Sequence, residues 1–211
     1  MNSKDHPNQE NSSLNIGVIL LAAGSSSRMG QSKQMLNIEG VHLLLRSTNQ
    51  AVKSEAKKVI VVLGANELAH RKIIDHLPVE IITNSNWQKG MGSSLKIGVE
   101  KLLQITSELD ATIVMVCDQP LLTTDHLNSL IRKFKETKSP IVASFYLSTA
   151  GVPALFEKSL FEKLLGIDDE SGAKKIIQQN MNIVQTIDFP EGAIDLDTAE
   201  DYQKLIAKKN A

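Results

Sequence analysis

The chain has 211 residues, 42% of them hydrophobic and 4% aromatic, with 23 Lys and Arg against 24 Asp and Glu for a formal net charge of -1. That balance argues against a basic duplex-binding face, the scarcity of aromatic rings argues against stacking platforms for single strands, and the apolar content is ample for a core. The length favours one domain over residues 15–211 behind a polar, disordered tail at 1–14. Cys117 is the only cysteine, so no intramolecular disulfide forms. With no signal-peptide core and no run near the ~20 apolar residues of a membrane span, the expectation is a cytoplasmic protein that binds neither membrane nor nucleic acid.

Apolar runs alternate with helical patterns along the chain. Ile16–Leu21, Lys58–Leu63, Val79–Thr83, Thr112–Val116 and Ile141–Ala143 are short, continuous and rich in Val and Ile, which predicts strands buried on both faces. Between them, Leu43–Ala51, Glu67–His76, Ser94–Leu103 and Leu127–Phe134 carry apolar residues at helical spacing, the last with Thr123 or Thr124 as N-cap. Further on, Leu160–Leu165 and Ala173–Gln179 read as helices and Ile183–Asp188 as a strand. A closing helix over Ala199–Ala207 takes Thr198 as N-cap, with Glu200 and Asp201 in its first turn. The pattern predicts an α/β, three-layer, Rossmann-like domain around a mostly parallel sheet.

In such sheets ligands sit beyond the carboxyl ends of the strands, so what each strand ends in carries the information. The first breaks into Ala22-Ala23-Gly24-Ser25-Ser26-Ser27-Arg28-Met29-Gly30-Gln31-Ser32-Lys33, small residues with two cations. Small side chains let a phosphate approach backbone N–H groups, and Arg28 and Lys33 supply counter-charge. The alternative is an ordinary strand-to-helix turn. A Walker loop is excluded, because five residues separate Gly24 from Gly30 and Gln31 follows. A dinucleotide fingerprint is excluded by Ser26 and Ser27 at its inner positions, and Gly90-Met91-Gly92-Ser93-Ser94-Leu95 fails it at Leu95.

The fourth strand ends in Val116-Cys117-Asp118-Gln119-Pro120. An Asp at a strand tip beside a phosphate loop suits Mg²⁺, which wants carboxylate oxygen next to phosphate oxygen; alone, it would read as a turn or cap carboxylate. A second acidic element, Asp195-Leu196-Asp197-Thr198, puts both carboxylates on one side of an extended segment with Leu196 toward the core; helix capping by Asp197 and Thr198 is its plainer reading. Gly90–Ser94 presents small residues and hydroxyls at a helix N-terminus, fit for a base edge or simply for a cap. Cys117 reads as a packed, inert thiol and Trp87 as a core anchor. His6, His42, His70, His76 and His126 show no metal-ligand spacing and read as solvated or helix-face residues, and no G-x-S-x-G elbow is present.

Leu21 through Lys33 resembles the signature L-A-A-G-x-S-x-R-M-G-x-x-K of the MobA-like nucleotidyltransferase family, which includes the molybdenum cofactor cytidylyl- and guanylyltransferases. The resemblance continues through Asn84-Ser85-Asn86-Trp87-Gln88-Lys89-Gly90-Met91-Gly92-Ser93-Ser94, similar to N-P-x-W-x-x-G-M-x-S-S. It takes in Asp118-Gln119-Pro120, with Cys117 for the family's Gly, and Asp195–Asp201, similar to D-x-D-T-P-E-D with Ala199 for Pro. It implies nucleotide binding by Leu21, Ala22, Ala23, Gly24, Ser25, Arg28, Lys33, Asn84, Gly90, Ser93 and Ser94. It further implies catalysis by Arg28, Lys33 and Asp118, and Mg²⁺ held by Asp118 and Asp197, with Asp195 a lesser candidate. Residues 144–194 would face the acceptor through Gly151, Pro153 and Lys174. There Val152 stands where cytidylyl members often have His, and Asp169–Ala173 departs from the usual G-D-x-G-A.

The implied reaction transfers CMP from CTP to the phosphate of molybdenum-molybdopterin, giving molybdopterin cytosine dinucleotide and pyrophosphate, with handover to a molybdenum enzyme as a further partner. CTP is expected over GTP because guanylyl members usually read L-A-G-G where Leu21-Ala22-Ala23-Gly24 stands. Three rivals are a cytidylyl- or guanylyltransferase for another phosphorylated acceptor, a non-catalytic molybdenum cofactor carrier, and an NAD-dependent oxidoreductase. Retention of Asp118 and Asp197 speaks against the carrier, and the missing glycines against the oxidoreductase.

Overall fold

The structure, a computed structural model, describes residues 14–26 and 29–209. Strand β1 (Ile16–Ala22) is buried along its whole length and lies in the interior of a seven-stranded sheet, third from one edge. Because successive side chains leave a strand on opposite faces, β1 feeds two cores at once. Val18, Leu20 and Ala22 join one cluster; Ile19 and Leu21 join the other. The elements predicted on either side of β1 fall where the periodicity put them. Strand β4 (Lys58–Leu63) and strand β6 (Ala111–Val116) pair with it in parallel, and β5 (Glu80–Thr83) extends the sheet beyond β4.

The first cluster is covered by helices α1 (Leu43–Val52), α2 (Glu67–Ile74), α4 (Thr124–Thr137) and α7 (Ala199–Lys209), through residues such as Leu44, Ile74, Ile131 and Leu205. The second is covered by α3 (Met91–Ile105), α5 (Phe161–Leu165) and α6 (Ala173–Gln179), through Val99, Leu164 and Ile177. Gly17 lets α3 settle on β1, since a Cβ there would overlap the Leu102 side chain. Thr123 caps α4, accepting from His126 N at 3.2 Å. Thr198 and Asp201 form a reciprocal cap on α7: Asp201 Oδ2 accepts from Thr198 N at 2.8 Å, and Asp201 N donates to Thr198 Oγ1 at 3.2 Å.

The last third departs from the sequence expectation. Strand β7 runs over Ile141–Tyr146, past the predicted end at Ala143, and turns into β8 (Thr149–Glu157), which the apolar pattern did not show as a strand. Gly151 and Pro153 interrupt that pattern. The pairing absorbs them by a register shift between Ala143 and Ser144, so that Val152 and Pro153 fall in the irregularity and Pro153's missing N–H breaks no ladder bond. Strand β8 runs antiparallel to both β6 and β7, and β9 (Val184–Asp188) returns parallel to β7. The order is β5-β4-β1-β6-β8-β7-β9, mostly parallel with one reversed strand. A two-residue pair, β2 (Asn37–Ile38) with β3 (Val41–His42), leads into α1.

Of the expected tail, only Leu14 is within the described residues, and it packs against the first cluster. Among the described residues, no helix is long and apolar enough to cross a membrane. The functional consequence of the topology lies at β1. The chain moves outward from β1 to β4 and β5, then returns to β6 on the other side, so the carboxyl ends of β1 and β6 open onto a crevice at the point of reversal.

Candidate active site

That crevice is a cleft of about 510 Å³. Three parts of the chain form its walls: Leu21–Ser26 with Lys33 and Gln34; Trp87, Gln88, Gly90, Met91 and Ser94; and Val116–Asp118 with Asp195 and Asp197. The loop after β1 turns its carbonyls onto the protein. Gln34 Nε2 donates to Ala22 O at 3.0 Å and to Gly24 O at 2.9 Å, and Ala65 N donates to Ala23 O at 3.0 Å. Occupied carbonyls keep their partial negative charge away from the cleft, a condition that an anionic ligand requires. Ser26 holds a left-handed backbone, φ 57°, and is fixed there by Lys33 N donating to its Oγ at 2.9 Å and Met29 N donating to its carbonyl at 3.0 Å. Ser27 and Arg28 lie outside the described residues, so the role predicted for Arg28 has no structural account.

The Asp118 loop is pinned from several sides. Arg46 Nε on α1 donates to Pro120 O at 2.9 Å, and Ser47 Oγ donates to Cys117 O at 3.3 Å. Gln119 Nε2 reaches Val152 O at 3.1 Å and Tyr146 Oη at 3.3 Å, tying the loop to β7 and β8. Leu196 is fully buried and its N–H donates to Asp118 O at 3.0 Å, which lays Asp195 and Asp197 beside Asp118 with both carboxylates toward the cleft.

Lys33 joins these elements. Its Nζ is 3.2 Å from Asp118 Oδ2 and 2.5 Å from Asp197 Oδ1, contacts that span 85 and 164 residues of sequence. Burial alone would lower the ammonium's pKa, but the two carboxylates outweigh it and the net shift is upward, so Lys33 is charged. Asp195 is shifted upward by burial and by repulsion from Asp197 and Asp118. Burial, with Asp118 beside it, pushes the Cys117 thiol up to about 12, so its predicted inertness has a physical cause. Among the described residues no three of His, Cys, Asp and Glu gather around one point; Asp118 and Asp197 meet as a pair across Lys33.

The base-side segment is built differently from the expectation. Helix α3 starts at Met91, ahead of the predicted Ser94, with Gly90 as N-cap at φ 122°. The loop 168–171 sits directly on this turn: Cβ atoms at Gly90 or Gly92 would collide with the carbonyls of Asp169 or Asp168. Asn84 is buried behind the wall, its Nδ2 donating to Ser93 Oγ at 2.8 Å and Ser94 Oγ at 2.9 Å. Asn84 and Ser93 therefore fasten the segment without lining the cleft, whereas Gly90 and Ser94 line it. Trp87 is not the core anchor expected of it. It is half-buried on the cleft wall, its Cβ seated over Gly64, because the turn before α3 carries it out of the second cluster.

The residues expected to face the acceptor are not in this cleft. Gly151 is buried within β8 against Tyr146, Pro153 is held by Ser144 Oγ donating to its carbonyl at 2.6 Å, and Lys174 is exposed on α6. Two histidines sit on helix faces as expected, but neither is solvated. His70 on α2 is fully buried and His126 on α4 stacks on Phe189 at 4.2 Å; burial lowers the pKa of both, His126 to about 4. Gln34, which holds the carbonyls of the loop after β1, was not singled out from the sequence; its position directly after Lys33 is its only local signal.

The profile of the MobA-like NTP transferase domain family matches residues 18–184. The purine catabolism protein PucB of Bacillus subtilis is 29% identical over 89% of this chain and 94% of its own length. A protein of Paenarthrobacter nicotinovorans named nicotine blue oxidoreductase is 25% identical, over 89% of this chain and 95% of its own. The molybdenum cofactor cytidylyltransferase of Escherichia coli is 26% identical, over 89% and 93%. Among solved structures, Rv0371c of Mycobacterium tuberculosis superposes with a TM-score of 0.78 at 22% identity, covering 93% of this chain and all of that one; it is also known as a manganese complex. The chain belongs to the MobA-like NTP transferase family and is a nucleotidyltransferase.

Proposed function

We propose that the protein transfers CMP from CTP to the terminal phosphate of molybdenum-molybdopterin, forming molybdopterin cytosine dinucleotide and releasing pyrophosphate. The observation that carries this reading is the Asp118–Lys33–Asp197 arrangement at the cleft, beside a loop whose carbonyls are turned away. The triphosphate lies along Leu21–Ser25 with Lys33, and Arg28 adds charge; Gly90 and Ser94 frame the base, with Asn84 and Ser93 behind them. A phosphate oxygen of the acceptor attacks the α-phosphorus of CTP, and the bond to the β-phosphate breaks. The acceptor is already ionised, so no general base is required, in keeping with a cleft wall that includes no histidine among the described residues.

The donor set fits a divalent cation: two carboxylates from distant segments already share one positive charge, and oxygen donors are those Mg²⁺ selects. Asp118 and Asp197 would hold Mg²⁺, with Asp195 nearby, and the ion would neutralise charge on the phosphates. The E. coli relative supports the molybdenum cofactor as acceptor, and Ala23 supports CTP as donor. In this reading the acceptor lies on the side of residues 144–194, where Lys174 is exposed while Gly151 and Pro153, buried in β8, act on the shape of that side and not by contact. The reaction is placed in the cytoplasm, with handover of the product to a molybdenum enzyme; the name of the Bacillus relative makes purine breakdown the first process to examine.

The test is pyrophosphate release when CTP or GTP is mixed with molybdenum-loaded molybdopterin and Mg²⁺. Release with CTP and acceptor together, and not with either alone, is expected. Pyrophosphate release with another phosphorylated acceptor only would keep the transferase and replace the acceptor.

A further inference from the structure

His70 lies on α2, outside the cleft wall, and is fully buried. Its Nε2 is 2.7 Å from Ser32 Oγ, and Ser32 Oγ is 2.8 Å from Gln34 Oε1. The direction of each bond follows from the far end of the chain. Gln34 Nε2 donates to the carbonyls of Ala22 and Gly24, so Gln34 Oε1 is an acceptor. Ser32 therefore gives its one hydroxyl proton to Gln34 and has only lone pairs left for His70. His70 must donate, which puts its proton on Nε2 and leaves Nδ1 as a bare acceptor. Nδ1 is indeed buried without a partner, and an unpaired acceptor is the cheaper orphan, since a protonated ring would bury an unpaired N–H donor there.

We propose that His70 is a positioning residue for the triphosphate: through Ser32 and Gln34 it holds the loop after β1 with its carbonyls withdrawn from the cleft. Ser26, whose Oγ also lies 3.3 Å from Gln34 Oε1, keeps its left-handed backbone by the same network. Such a conformation persists only where its surroundings over-determine it. Without the His70 donor, Ser32 is free to rotate, Gln34 loses its orientation, and the carbonyls of Ala22 and Gly24 are released toward the ligand. Held polar networks of this kind act beyond the sum of their pairs.

The inference rests on reading this loop as the triphosphate site, and calorimetric titration of the folded full chain with CTP and Mg²⁺ tests both. A parent protein that takes up neither CTP nor, in a parallel titration, GTP overturns the loop reading and this inference with it, and the variants are compared with whichever triphosphate binds. Where the parent binds, His70→Leu is expected to weaken that triphosphate about tenfold. His70→Gln, which offers an amide N–H at similar reach, should recover most of that loss. Ser32→Ala should match His70→Leu, and the double variant should be no worse than either single, because both break one chain. Unchanged triphosphate affinity in folded His70→Leu, no recovery in His70→Gln, or additive losses would each overturn the proposal. Should His70→Leu fail to fold, the nitrogen-15 spectrum of the parent decides: an Nε2–H tautomer supports the network and an Nδ1–H tautomer ends it.

Discussion

The polar groups on the two sides of Asp118 are put to different uses. Before it, buried side chains steady the segments that form the cleft: Gln34 donates to the carbonyls of Ala22 and Gly24, and Asn84 donates to the hydroxyls of Ser93 and Ser94. After it, similar groups hold β7 to β8 and to helix α4. His126 Nε2 meets Ser144 Oγ at 2.7 Å, Ser144 donates to Pro153 O, and Tyr146 Oη donates to Val152 O at 2.9 Å. Among the described residues, only Asp195 and Asp197 return from that later region to the cleft. The same residue types therefore steady cleft walls before Asp118 and join β7 to β8 and α4 beyond it. Damage to the first should be read in turnover and damage to the second in stability.

Asp118→Ala tests the first half of that statement and has the largest expected effect. Turnover should fall by roughly 10²–10³, the range for losing one preorganised electrostatic group. Its ion pair is partly exposed, with Asp118 at 31%, so stability should change by no more than about 1 kcal/mol. A large loss of melting temperature with activity retained would make Asp118 a structural cap and erase the contrast.

His126 tests the second half. Its folded pKa of about 4 lies below the ordinary 6.5, so the unfolded chain binds the proton first. Stability is then full above pH 6.5 and falls as the pH drops toward 4, by about 3 kcal/mol at most for this one group. His70, also shifted downward, adds in the same direction. Melting temperatures followed from pH 7 to pH 4 should decline in the parent and decline less in His126→Gln. Parallel curves would show that His126 is not held neutral by the fold.

Lys33→Ala sharpens the picture of the cleft itself. The ammonium now compensates Asp118 and Asp197, so its removal should leave that pair with a stronger attraction for a divalent ion. Mn²⁺ binding to the nucleotide-free protein, followed by electron paramagnetic resonance, should tighten about tenfold while turnover falls. Weaker Mn²⁺ binding in the variant would mean that the carboxylates do not form a cation site.

Ala23→Gly carries the smallest effect. Ala23 is 6% exposed on the cleft wall and its methyl lies close to Gly64, so a change there acts on the base chiefly through the stiffness of the loop. A preference for CTP over GTP should narrow several-fold, about 1 kcal/mol, in a competition assay with both triphosphates. A parent that prefers GTP would overturn the cytidylyl assignment and leave the nucleotidyltransferase standing.

Local pattern alone determined much of this protein. The strands from Ile16 to Val116 announced themselves because buried parallel strands are continuous apolar runs, and Lys33 and Asp118 stood out because a small-residue loop with cations and a strand-tip Asp are visible within a few positions. Asp197 read locally as a helix cap and was singled out only by the family resemblance. Tertiary structure decided the rest. Strand β8 was hidden because Gly151 and Pro153 break an apolar pattern that only the pairing with β6 and β7 restores. Trp87 left the core because the turn before α3 faces the cleft. The meeting of Asp118 and Asp197 on one lysine, and the chain from His70 through Ser32 to Gln34, join residues tens of positions apart. No local periodicity records such contacts, since they exist only once β1 and β6 stand side by side and α1 and α2 have packed against them.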